Sequence, residues 1–194
     1  MPVRRTIHES PGIYLITFTC ARWVKLFQLT QSYDLVYNWF HYLSTQGHHI
    51  IGYVIMPNNV HALIAFKNSG KNINTIVGNG KRFIAYDLVE RLKSGPFSEV
   101  LESLQDWVNS TNRSRNKKHE VFEPSFDWKE CDDEYLVEQK LNDIHENASK
   151  GESRLVESPA DYEHSSEGFY LLGKKGTVPI TTYLELQDID LTIL

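Results

Sequence analysis

Cysteine is scarce in this chain of 194 residues: there are two, Cys20 and Cys131, far apart and without metal-type spacing. That argues against a disulfide framework or a cysteine-built zinc site and suits free thiols in a reducing compartment. Long apolar runs are missing as well. None approaches the ~20 residues that span a bilayer, and no signal-type apolar stretch follows Arg4 and Arg5. The expectation is a cytoplasmic globular protein with no membrane partner. A cationic excess is also lacking, since 20 Lys and Arg face 25 Asp and Glu for a formal net charge of −5. The surface is therefore not basic all over, and a nucleic-acid partner has to meet a local basic patch. There is no internal repeat and no low-complexity tract.

What the chain does have is 41% hydrophobic and 12% aromatic content, enough to bury one core. "GIYLITFTC", residues 12–20, has the β-branched and aromatic content of a strand. Thr30 can cap a helix over about residues 31–46, with Leu35, Val36, Trp39, Phe40 and Leu43 as one apolar stripe and Gly47 as its stop. "HHIIGYVIM" (48–56) and "VHALIAF" (60–66) read as two strands joined by Pro57-Asn58-Asn59. A second long helix starts at Asn72 or Asn74, carries Ile76, Phe83, Ile84, Leu88 and Leu92, and stops at Gly95-Pro96. A helix over "SEVLESLQDWV" follows, then an edge strand within residues 119–130 that Pro124 interrupts, then a helix capped by Asp132 or Asp133. The order is β-α-β-β-α-(α)-β-α. It predicts an α+β, ferredoxin-like βαββαβ antiparallel sheet packed with helices, with an inserted helix and a C-terminal helix and tail. Residues 1–150 are expected to form the domain, and 151–194 a tail packed on it.

Two places offer polar chemistry. His61 stands alone in an apolar run, and Asn59, two residues earlier, shares its face of the strand. On spacing alone the plainer reading is a hydrogen-bonded histidine beside a turn. Asp143 and Asn147 lie four apart on one helix face, with Lys140 a turn before Asp143; they suit a metal site or a solvated face equally. Between Asn109 and His119 the chain reads "NSTNRSRNKKH", four cations with no acid among them, which either tracks phosphates or is a solvated loop.

"GYVIMPNNVHALIAF" resembles the signature of the single-tyrosine transposases of the HUH endonuclease class, which read Met-Pro-Asn-His-hydrophobic-His. "FEPSFDWKE", "EQKLNDIHEN", "LVESPADYEHSSEGFY" and "VPITTYLELQDIDL" resemble, in the same order, the C-terminal half of the REP-associated branch of that family. The resemblance implies a ferredoxin-like sheet with the histidine pair on a central strand and the tyrosine on a C-terminal helix. It also implies Mg²⁺ or Mn²⁺, held by the two histidines and a polar residue one turn past the tyrosine, polarising a phosphate of single-stranded DNA beside a hairpin. The tyrosine then forms a 5′-phosphotyrosine link. Many relatives dimerise, so a homodimer is an open expectation.

Carried over by residue, His61 matches the second histidine, Asn147 the third ligand, and the first histidine falls on Asn59. The tyrosine falls on Asp143: the family's Tyr-Ile-His-x-Asn-Pro is here Asp-Ile-His-Glu-Asn-Ala. Nucleophile, one ligand and the proline depart together. The expectation is weak or absent metal binding at Asn59, His61 and Asn147, and impaired or lost cleavage with Asp143 not a nucleophile. Hairpin or single-strand binding would remain, through Arg4, Arg5, Lys81, Arg82, Arg113, Arg115, Lys117 and Lys118. Two alternatives stay open: a metal-dependent nuclease using Asp143 and water, and a relic fold without DNA function. Tyr135 is expected to pack, and Tyr162 and Tyr170 have no argument for reaching the site.

Overall fold

The computed structural model describes residues 11–151 and 154–194. Strand β1 (Gly12–Thr19) leads through a short helix α1 (Leu26–Leu29) into α2 (Tyr33–Thr45). Gly47, at φ 82°, turns the chain into the hairpin of β2 (His49–Ile55) and β3 (Asn59–Phe66). Then come α3 (Ile73–Ser94), α4 (Ser98–Asp106), α5 (Ser110–Ser114), β4 (Asp127–Glu130) and α6 (Glu134–His145). Two short helices, α7 (Glu167–Leu172) and α8 (Tyr183–Leu186), punctuate the tail.

The four strands form one antiparallel sheet in the order β2-β3-β1-β4, the arrangement the alternation of elements predicts. Each face has its own core. Phe18, Ile16, Tyr53, Val60 and Ile64 meet α2 and α3 on one side. Ile51, Val54, Leu63 and Ala65 meet Val137, Ile144 and Ala148 of the α6 layer on the other. Removing a side chain such as Phe40, wholly buried, would cost about 3–5 kcal/mol. Helices α2 and α3 approach closely because Gly80 has no side chain: a Cβ there would lie 2.3 Å from the Trp39 indole nitrogen.

Asn72 caps α3 by accepting from Asn74 N, and Asp133 caps α6 by accepting from Leu136 N. The edge strand is shorter than residues 119–130: only Asp127–Glu130 ladders with β1, while Phe122 meets Cys20 in an isolated bridge. Pro124 lies between, where it has no N–H to give. Part of the basic stretch is helical as α5, capped by Asn109, rather than a loop.

The tail covers the free edge of β2. Ile55 N donates to His164 O, Ser166 N to Tyr53 O and Thr181 N to Ile50 O, satisfying edge groups that would otherwise offer a template for another strand. Tyr162 and Tyr170 donate their hydroxyls to Ile55 O and Ile51 O, so both are anchors of this tail. Tyr135, expected to pack, is instead 74% exposed on α6, because the inward stripe of that helix is Val137, Leu141 and Ile144.

Candidate functional site

β3 is buried throughout except at Asn59 and His61, its two half-buried positions at the start of the strand. Both lie on the α6 side of the sheet. The register places His61 between Thr17 of β1 and Val54 of β2, with Asp127 of β4 beyond Thr17. The Thr17 hydroxyl sits 2.9 Å from His61 Nδ1, so one ring nitrogen is engaged and Nε2 remains. Burial pushes the imidazole down to about 4, which keeps it neutral at pH 7. Asn59 Oδ1 is buried and meets no hydrogen-bond donor among the described residues. Such an orphaned acceptor is unusual in a folded protein and marks a place where a donor or a cation would be accommodated.

On α6, the Asp143 carboxylate lies 2.5 Å from Lys140 Nζ, with its side chain half exposed. Asn147, in the turn just past α6, folds its Nδ2 back on that helix, donating to Asp143 O and Ile144 O at 3.1 Å each. As a set for Mg²⁺ or Mn²⁺, one neutral imidazole and two amides fit poorly. These hard cations favour carboxylate oxygens, and no group of three or more His, Cys, Asp or Glu able to hold a metal occurs among the described residues.

His145, between those two positions, is buried at the α6–tail junction. Its Nε2 lies 2.7 Å from Ser166 Oγ and its Nδ1 contacts the Glu167 carboxylate. Burial pushes the imidazole down to about 4 and Glu167 up, both towards neutrality, so the histidine is uncharged at pH 7. Ser166 Oγ also accepts from Tyr53 N at 2.9 Å. The Glu-His-Ser series resembles a hydrolytic triad in connectivity, but Ser166 and His145 are each 2% exposed, so it is a clamp that holds the tail to β2 and α6.

The basic residues converge elsewhere. Arg82 and Lys93 of α3 face Arg115, Lys117, Lys118 and His119 across a groove of about 660 Å³, with Tyr86 on its wall. Two of those cations have acidic partners, Lys93 with Glu90 and Lys117 with Glu120. Tyr86 is 59% exposed and offers an aromatic face beside the charges. Lys81 lies on the groove floor with its ammonium turned inward, donating to Glu123 O and Ser125 O at 2.9 Å each. Burial pushes it down to about 8. Arg113 turns to the end of α4, donating to Gln105 O and Val108 O. Arg4 and Arg5 lie outside the described residues.

Sequence reasoning missed Thr17, Tyr86 and Lys93. Their signal is in strand register and in the helix face shared with Arg82, both of which need the fold to be placed. No helix among the described residues is long and apolar enough to cross a membrane.

No protein-family model and no curated protein sequence matches this chain. A solved structure does, that of a REP-associated tyrosine transposase bound to a REP hairpin, with a TM-score of 0.61 over 94% of this chain and 95% of that one. The two share 12% sequence identity. At that identity the likeness is one of fold: the antiparallel sheet and its helices have the architecture of that transposase structure along nearly the whole chain.

Proposed function

We propose that this protein binds single-stranded or hairpin DNA in the groove between α3 and residues 115–124, and that its strand-cleaving chemistry is impaired or lost. The observation that carries the reading is the convergence of Arg82 of α3 with Arg115 and Lys118, which come from a distant segment, on one groove of an otherwise acidic protein. Phosphates drive such binding, and an exposed aromatic wall adds sequence-tolerant stacking. The transposase of like fold was solved with a hairpin bound, which supports the choice of partner.

For the chemistry, tyrosine transesterification needs an aryl-alcohol nucleophile and a cation on the phosphate. The corresponding position here is Asp143, whose carboxylate is paired with Lys140. A carboxylate attacking phosphorus would give a labile acyl phosphate, unsuited to holding a DNA end. The Asn59, His61 and Asn147 set supplies no negative ligand. The same Lys140 pair weakens the nuclease alternative, in which Asp143 would ligate a metal that activates water.

The test is a gel shift with hairpin DNA bearing an unpaired flank, with Mn²⁺ or Mg²⁺ present and a denaturing gel in parallel. Binding with intact DNA is the expected result. Cleaved DNA without a protein adduct would favour the nuclease, a covalent adduct would overturn the loss of transesterification, and no binding would leave a relic fold.

A further inference from the structure

Directly after β1 the chain makes a feature that the groove does not account for. Two successive non-glycine residues, Arg22 and Trp23, adopt left-handed backbone, with φ of 50° and 61°. L-residues take that conformation at a cost, and it persists only where the surroundings impose it. Here they do. Cys20 N donates to Asn58 O, Ala21 N to Val121 O, Arg22 N to Glu123 Oε1, and Asn58 Nδ2 to Trp23 O. The Arg22 guanidinium lies 4.8 Å from the centroid of the Trp107 ring. All this holds a loop whose tip is a large indole, 65% exposed. Folding gains little from a side chain so placed, so the strain serves the position of the ring.

That position is informative. One set of ties runs to residues 121–123, which wall the basic groove, and the other to Asn58, the neighbour of Asn59 with its orphaned carbonyl. The loop therefore joins the wall of the groove, on the α3 side of the sheet, to the start of β3, where Asn59 and His61 face the α6 side.

We propose that Trp23 is a stacking platform for an unpaired base of the DNA flank, between the phosphate-binding groove and the Asn59–His61 site; this rests on the groove's being the DNA-binding surface. An exposed ring fixed on a tied loop loses little freedom when a base stacks on it, and the contact is indifferent to sequence. Because the indole is uncharged, its share of binding does not depend on salt.

The experiment measures affinity by fluorescence anisotropy for two labelled hairpins, one blunt and one with an unpaired flank, using wild type, Trp23→Ala and Trp23→Phe. Trp23→Ala should bind the flanked hairpin about 10-fold more weakly, with the blunt hairpin and the salt slope unchanged, and Trp23→Phe should recover most of the loss. Equal binding of the flanked hairpin by wild type and Trp23→Ala overturns the proposal, and so does an equal loss on both hairpins. If wild type itself binds neither hairpin, the groove reading fails, a result distinct from either. Trp23→Gly supplies a second readout: glycine relieves the left-handed strain, so Tm should hold or rise while flank binding falls. A lowered Tm would assign the indole to structure and overturn the proposal.

Discussion

Asn59 Oδ1 is a buried acceptor without a donor, and two residues on stands an imidazole with one nitrogen still available. The pair has the geometry of two neighbouring ligands on rigid backbone and the chemistry of only one good one. Placing an imidazole at position 59 should therefore do what the amide cannot. Asn59→His is expected to bind Mn²⁺ more tightly than wild type, read by the loss of the free-ion EPR signal on titration. Unchanged affinity would contradict the view of this site as half of a metal clamp. The shared face of Asn59 and His61 was legible in the sequence, because alternation along a strand is a local rule. Thr17 was not, since its contact with His61 crosses 44 positions and depends on the β1–β3 register.

At the scale of elements, α3 does two different things with adjacent cations. Lys81 fastens the segment carrying Glu123 and Ser125 to the helix, and Arg82 lines the groove. Lys81→Met would leave two carbonyls without their charged donor, and is expected to lower unfolding stability by about 2–3 kcal/mol in urea titration. Arg82→Ala should stay within about 0.5 kcal/mol of wild type yet weaken DNA binding and reduce its salt slope by about 1. The reverse pattern would exchange their roles. The start of α3 could be read from its asparagine cap and its inward face from apolar spacing. Which of two neighbouring cations turns inward could not, because the acceptors of Lys81 arrive from a loop some 42 residues away. The tail is similar. Its contacts with the β2 edge follow no local periodicity, and its segments were recognisable only through a resemblance to transposase sequences.

For the whole molecule, the alternation of apolar strands and capped helices was sufficient to predict the sheet, since βαββαβ connections leave few antiparallel orders. The same burial that builds the two cores holds His48, His61 and His145 near 4, against an ordinary 6.5. Between those values the unfolded chain binds more protons than the folded one, so stability falls as pH falls through that window. The raised Glu167 opposes this with a single group. Tm at about pH 5 should lie at least about 5 °C below that at pH 7, and an equal Tm would contradict the assignment of neutral buried imidazoles. A local basic groove on an acidic protein should show itself in the affinity of wild type for a flanked hairpin at two salt concentrations. With about three phosphate contacts, affinity should fall roughly 20- to 50-fold between about 50 and 200 mM salt; affinity that does not change with salt, or no binding at the lower concentration, would contradict it.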